Sequence, residues 1–302
     1  MKTFEARLLY DAHATLGEGP VWNDAEQALY WVDIQPGLLH RLVPGAGVQV
    51  AADRNWQAPM PIGCFAFTRD GQILAAGSDG YGYLKPEGDQ AVFQSVCDPE
   101  ADKPYNRFND GKCDAQGRFL AGSMASRHDG VRTPGGFYSL DPSGTCRTLL
   151  DDVATSNGLA FTADGRTLYY IDSPTNEVAA FDYDPENGTI ANRRVVARVD
   201  EGPGKTPDGM TIDIEGNLWV AVWGGSHIWC IDPATGDRLA EIRVPAIRTT
   251  SCCFGGPDYK TLFITSARVG LSDEELAKSP LSGGVFAVEP GVAGLPFPRF
   301  GA

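Results

Sequence analysis

One position recurs along this chain at a fixed distance from a turn, and in most copies it carries oxygen. Four turns place glycine at Gly71, Gly117, Gly165 and Gly216, spaced 46, 48 and 51 residues apart. Eight residues before each stand Gly63, Asn109, Asn157 and Asp208. The same offset in two degenerate copies, counted back from Glu26 and Lys260, gives Glu18 and Cys252. Four of the six are carboxylate or carboxamide, set among apolar residues and glycine. Carboxylate and amide oxygens converging on one axis suit a hard divalent cation, which also offsets repulsion between Glu18 and Asp208. Taken singly, Asn109-Asp110-Gly111, Asn157-Gly158 and Asp208-Gly209 read as turn dipeptides. Their shared offset argues otherwise, because the turn of the same strand pair lies eight residues downstream.

The elements that must hold these positions follow from the repeat itself. Each copy is a short apolar strand, a turn, and a second apolar strand, as in Gly158-Leu-Ala-Phe followed by Leu168-Tyr-Tyr-Ile171. Two further strand-like runs complete a copy, for example His227-Ile-Trp-Cys-Ile231 and Arg238-Leu-Ala-Glu-Ile-Arg-Val244, divided by the turn Asp232-Pro-Ala-Thr-Gly236. Six such units of about 50 residues predict an all-β, six-bladed β-propeller of four-stranded antiparallel blades, one domain over residues 1–302. The last unit lacks a fourth strand after Gly284-Val-Phe-Ala-Val288. The orphan run Phe4-Glu-Ala-Arg-Leu-Leu-Tyr10 is expected to supply it and close the ring. The one helical signal is Ser272 to Lys278, with Ser272 and Glu275 at capping-box spacing.

Composition agrees with a turn-rich folded chain. The 302 residues include 36 Gly and 21 Pro, with 42% hydrophobic and 21% charged residues. Lys and Arg number 25 against 39 Asp and Glu, a net charge of −14 that disfavours nucleic acid and anionic membrane surfaces as partners. Seven cysteines cannot all pair, and none forms a CxxC, so a reducing, cytoplasmic setting is expected. No apolar run reaches membrane-span length, and Met1 to Arg7 has no signal-like core. Of the six tryptophans, Trp22, Trp31, Trp56, Trp219 and Trp229 read as core, and Trp223 beside Gly224-Gly225 as a pocket border.

Five motifs in order, Leu16-Gly-Glu-Gly-Pro20, Asn106-Arg-Phe-Asn-Asp-Gly-Lys112, Ser156-Asn-Gly158, Pro207-Asp-Gly209 and Gly283-Gly-Val-Phe-Ala287, resemble the senescence-marker-protein/gluconolactonase/regucalcin family. The resemblance runs from about Leu16 to about Val288. It implies a metal-dependent sugar lactonase with Glu18, Asn157 and Asp208 as metal ligands. It implies also that Arg107 and Asn109 bind substrate and that Asp208 doubles as general acid/base while the metal polarises the lactone carbonyl. The implied cofactor is one divalent ion, Ca²⁺ foremost, with Mg²⁺, Mn²⁺, Zn²⁺ or Fe²⁺ as alternatives. Where such proteins carry a substrate-binding glutamate after the third blade's second strand, this chain has Arg127, which leaves the choice of sugar open.

Other chemistries have less support. There is no GxSxG, GxGxxG or P-loop, and His13, His40, His128 and His227 have no triad-like flanks. Two alternatives to a sugar lactonase remain: a metal-dependent hydrolase of phosphotriesters or non-sugar lactones, and a non-catalytic calcium-binding or scaffold propeller. The expected partner is a small sugar lactone, and the expected assembly a monomer or small homo-oligomer.

Overall fold

A computed structural model describes residues 1–45 and 50–301. The protein is an all-β propeller, built from consecutive antiparallel meanders arranged about a central channel. The first meander comprises Gly17–Asn23, Ala28–Asp33, Leu38–Pro44 and Val50–Gln57, and the second Ile62–Phe67, Ile73–Gly77, Gly80–Glu87 and Gln90–Cys97. These two form one eight-stranded sheet, joined through the pairing of Gln57 with Gln90. Arg107–Cys113, Phe119–Met124, Gly135–Leu140 and Cys146–Val153 make a four-stranded sheet, and the strands from Ser156–Phe161 to Thr189–Arg198 another. Thr206–Ile212, Leu218–Trp223, His227–Ile231 and Arg238–Arg243 follow, then Arg248–Gly255, Thr261–Ala267 and Val285–Val288.

The N-terminal run is divided between two sheets. Lys2–Glu5 lies parallel to Arg238–Arg243, and Arg7–Tyr10 pairs antiparallel with Val285–Val288. A single strand over residues 4–10 is therefore replaced by two, with Ala6 N donating to Arg243 O at 2.9 Å between them.

Why the meanders close on one another is visible in the core. Side chains of a strand alternate, so each sheet has two apolar faces to cover. Among the described residues there are six hydrophobic clusters, and each is shared by two successive meanders: Phe108 and Tyr138 pack with Cys64 and Tyr81, and Phe137 and Leu120 with Leu159 and Tyr170. The last cluster joins Phe263 and Val285 to Trp22 and Trp31, returning to the start of the chain. Fully burying each such side chain stabilises the ring by about 1.5–3 kcal/mol. Trp22, Trp31, Trp56, Trp219 and Trp229 are all buried.

The channel end away from the polar positions is covered by the C-terminal segment. Gly294 bridges Asp213, Phe300 bridges Thr68, and Gly301 N donates to Gly117 O at 2.9 Å. The short helix Asp273–Lys278 carries both bonds of the Ser272/Glu275 capping box.

Candidate active site on the channel axis

Every first strand is irregular, and in five of the six the slip lies at or directly after the position counted back from its turn. Pairing slips between Glu18 and Val21, Ile62 and Cys64, Phe108 and Gly111, Asn157 and Leu159, Pro207 and Met210, and Thr249 and Ser251. A bulge re-aims a side chain out of the pleat, and here it does so once per meander. In the last meander the slip lies at Thr250, not at Cys252. The turn there, residues 256–260, is as long as the others, but the positive-φ residue at the place of the turn glycines is Tyr259, one before Lys260, and the strand runs one residue further beyond its slip, so counting eight back from Lys260 stops two residues short. Cys252 lies deeper and its Sγ contacts Trp219 O at 3.4 Å, while Thr250 Oγ1 donates to Gly17 O at 2.6 Å.

The glycines beside these residues are not turn residues. Gly158 and Gly209 sit within strands without positive φ. A Cβ on Gly158 would lie 2.6 Å from Met210 Cβ, and one on Gly209 2.1 Å from Ser251 Oγ. Gly63 is equally constrained, since its Cβ would lie 2.2 Å from Phe108 O. Neighbouring first strands approach too closely here for any side chain, which explains the missing oxygen ligand in the second meander.

Glu18, Arg107, Asn109, Asn157 and Asp208 line one cavity of about 300 Å³, with Met124, Thr155, Ser173, Thr206 and Trp223 among its walls. Two aspartates that end second strands hold the backbone leading into it. Asp33 accepts from Leu16 N at 2.7 Å and Thr15 N at 2.8 Å, and Asp172 from Thr155 N at 2.8 Å.

One chain of hydrogen bonds orders the polar side chains. Arg107 Nη1 donates to Asn109 Oδ1 at 2.8 Å, and Asn109 Nδ2 donates to Asn157 Oδ1 at 2.9 Å and Ser156 O at 2.8 Å. Asn157 Nδ2 donates to Ser173 Oγ at 2.8 Å, and Ser173 Oγ donates to Pro207 O at 2.6 Å. The two amides thereby differ in role. Asn109 has its oxygen engaged by a guanidinium, whereas Asn157 Oδ1 accepts one bond and keeps a lone pair.

Electrostatics mark the pair of carboxylates. Burial, then the charge of Asp110, pushes Glu18 up to about 8, against the pull of Gly19 N–H and Arg107. Burial, then Glu18 and Asp110, raises Asp208 well above the usual carboxylate range. Asp110 is itself raised by burial, and Lys112 beneath it is lowered by burial while its Nζ donates to Met210 O at 3.0 Å. Burial also lowers Arg107, with Glu18 opposing that shift. Like charges are thus gathered at one buried point with a shortage of cations.

Some features were not readable from residue spacing. Ser173 belongs to no repeat position, and it matters only because the turn after Thr167–Asp172 brings it under Asn157. Arg127 is not part of the cavity wall. It is exposed on a small ribbon, Ser126–His128 paired with Val131–Thr133, and its Nη1 donates to Gly130 O at 3.1 Å. Trp223 does border the cavity. His227 is buried against Trp229 with Nε2 3.2 Å from Glu201, a structural pairing. Among the described residues, no three His, Cys, Asp or Glu side chains form a metal-holding cluster; the axial oxygens come from two carboxylates and an amide. No helix among them is long and apolar enough to cross a membrane.

A family model described as "SMP-30/Gluconolactonase/LRE-like region" matches residues 16–268. Regucalcin of Xenopus laevis is 39% identical over 276 residues, covering 90% of each chain. A solved structure of a calcium-binding protein, regucalcin, from Agrobacterium tumefaciens superposes with a TM-score of 0.89 at 28% identity, covering 99% of both chains. A gluconolactonase from Xanthomonas campestris shares the fold, with a TM-score of 0.70 at 23% identity over 96% of this chain and 90% of its own.

Proposed function

Because the chain belongs to the SMP-30/gluconolactonase/LRE-like family, we propose that it is a metal-dependent hydrolase opening a sugar (aldono) lactone to the aldonic acid. The observation that carries this reading is the meeting of Glu18, Asn157 and Asp208 with Arg107 and Asn109 in one cavity. We read the ring as six blades forming a single domain, a count supported by the six clusters and by the seam between Gln57 and Gln90, where one pairing joins two complete meanders.

The residues fit a cation. Ser173 holds the Asn157 amide with its nitrogen turned away, leaving the oxygen for the axis. Two buried carboxylates that resist ionising beside each other gain most from a positive charge between them. Glu18, Asn157 and Asp208 would hold the ion, and all-oxygen donors favour Ca²⁺, with Mg²⁺ or Mn²⁺ next. When bound, such an ion supplies Lewis-acid polarisation of a lactone carbonyl.

The chain's own side chains do the rest. Arg107 presents guanidinium N–H donors to sugar oxygens, and its bond to Asn109 holds it in the cavity wall. Asp208 orients a water and takes its proton at a carboxylate oxygen, then returns it to the ring oxygen as the ester C–O bond opens. Met124 and Trp223 exclude bulk water from one side of the cavity.

The related protein described as calcium-binding favours a second reading, a calcium-binding propeller without catalysis. Acid release across a panel of aldonolactones, measured with and without chelator, separates the two. Chelator-sensitive hydrolysis supports the lactonase. No hydrolysis with tight calcium binding would overturn it in favour of the second reading.

A further inference from the structure

Glu100 is a buried carboxylate outside the axial cavity, and four side chains donate to it. Its Oε1 accepts from Ser123 Oγ and from the Tyr138 hydroxyl at 2.8 Å each, and from Lys103 Nζ at 3.1 Å. Its Oε2 accepts from Asn106 Nδ2 at 3.2 Å. The donors come from three parts of the third meander. Lys103 and Asn106 lie in the segment leading to the first strand, Arg107–Cys113, while Ser123 is on the second strand and Tyr138 on the third. A carboxylate accepts through two oxygens with about four lone-pair sites, so one side chain serves all four donors. The segment around it is tightly folded, with Lys103 N donating to Glu100 O at 2.7 Å and Asn106 N to Lys103 O at 3.0 Å.

Two of these donors flank Arg107. Asn106 directly precedes it, and Ser123 faces Phe108 in the ladder, one step from the pair of Arg107 with Met124. Asn106 also holds both roots of the ribbon that carries Arg127. Its Nδ2 donates to Pro134 O at 3.0 Å, and its Oδ1 accepts from Ser126 N at 3.1 Å. The bond to Glu100 therefore fixes which way the Asn106 amide is turned, and with it the entry of the chain into the strand bearing Arg107.

We propose that Glu100 is a positioning residue for Arg107: it clamps the start of the first strand to the end of the second, so that the guanidinium meets substrate in one geometry. This rests on the reading of Arg107 as the substrate-binding residue of a lactonase. Glu100 is not part of the cavity wall, so it acts on substrate through Arg107 alone. Glutamine cannot take its place. With the amide oxygen kept towards Ser123 and Tyr138, the amide nitrogen faces Asn106 Nδ2, donor against donor. The bond to Asn106 is lost while shape and volume are kept. Misplacing a substrate-holding group by about 1 Å can cost up to about 100-fold.

Glu100→Gln is measured in the full chain, alone and combined with Arg107→Ala, for aldonolactone hydrolysis and for calcium binding by calorimetry. Expected is a KM about 10-fold higher, with kcat and calcium affinity within about twofold of wild type. In the Arg107→Ala background the same substitution should change kcat/KM by less than about twofold, because the residue it positions is gone. An unchanged KM overturns the proposal. So does an equal loss with and without Arg107, the result a purely structural carboxylate gives. Asn106→Ala cuts the same bond from its other end and takes over the test if Glu100→Gln does not fold, with the same expected and overturning outcomes. Wild-type protein that hydrolyses no aldonolactone counts against the lactonase reading and not against Glu100. Hydrogen exchange then decides: amides of residues 106–109 should exchange about 10-fold faster in Glu100→Gln than in wild type, and equal rates overturn the proposal.

Discussion

Asn157 Nδ2 donates to Ser173 Oγ, which is committed as a donor to Pro207 O, and this decides which end of the Asn157 amide faces the axis. A hydroxyl that gives its proton to a carbonyl can only accept from Asn157. The amide nitrogen therefore points outward and the oxygen inward. The same serine ties the fourth meander to the backbone one residue before Asp208, so two of the three proposed ligands share one support.

Ser173→Ala removes that support without touching an axial oxygen. Outer-shell changes of this kind typically cost 10–100-fold in metal affinity, and a loss of about 10-fold in calcium affinity is expected by calorimetry. An unchanged affinity would mean that the amide is oriented by Asn109 alone.

Arg107→Ala should separate binding from metal capture. A guanidinium has no lone pair to offer a cation, so calcium affinity should stay within about twofold. Loss of a charged hydrogen bond to substrate should lower kcat/KM by about 10–100-fold, mainly through KM. Metal loss in this variant would reverse the roles given to Arg107 and Asn157.

Arg127→Ala should leave hydrolysis of a neutral aldonolactone within about twofold. Its guanidinium is spent on the ribbon's own Gly130 carbonyl, outside the cavity wall. A large fall in kcat/KM would show that the ribbon folds over bound substrate.

The axial positions were legible because an oxygen site on a symmetry axis requires the same register in each copy. That register survives where a glycine marks the positive-φ place in the turn and fails in the last copy, where Tyr259 holds that place and the strand before it is one residue longer, which is why Cys252 stood in for Thr250. The glycines after Asn157 and Asp208 looked like turn residues because close approach of two strands and positive φ select the same amino acid. Ser173 and Arg127 were illegible for a different reason. Each is placed by a local turn or ribbon outside the repeat, where no periodicity reports direction. The C-terminal cover, with Leu295-Pro-Phe-Pro298, has isolated bridges instead of ladders and so lacks strand alternation.

His40 should make the protein acid-sensitive. It is buried, stacked on Trp31 at 3.8 Å, and neither ring nitrogen has a hydrogen-bond partner among the described residues. Burial lowers its pKa from 6.5 to about 4. The unfolded chain therefore binds a proton that the folded chain refuses over that interval. The stability contribution is complete above 6.5 and is lost as pH falls towards 4, by up to about 3 kcal/mol. His40→Phe keeps a stacking ring without a titrating group. Denaturant melts at pH 7 and pH 4.5 should show a smaller drop for His40→Phe than for wild type. Equal drops would place the acid sensitivity elsewhere.

Removing residues 1–11 tests ring closure. Lys2–Glu5 covers the edge of Arg238–Arg243, and Arg7–Tyr10 covers that of Val285–Val288, so the segment crosses from one meander to the next. Ala6 and Leu9 are buried in two different clusters, which makes the crossing a packed joint. Deletion would expose two edges at once, each able to pair with another chain. A melting temperature lower by on the order of 10 °C, with aggregates by light scattering, is expected. Removing residues 1–5 alone should cost less, since Leu9 and the antiparallel pairing with Val285–Val288 survive. If the longer deletion melts like the full chain, the two strands are appendages and the ring is held by its hydrophobic clusters alone.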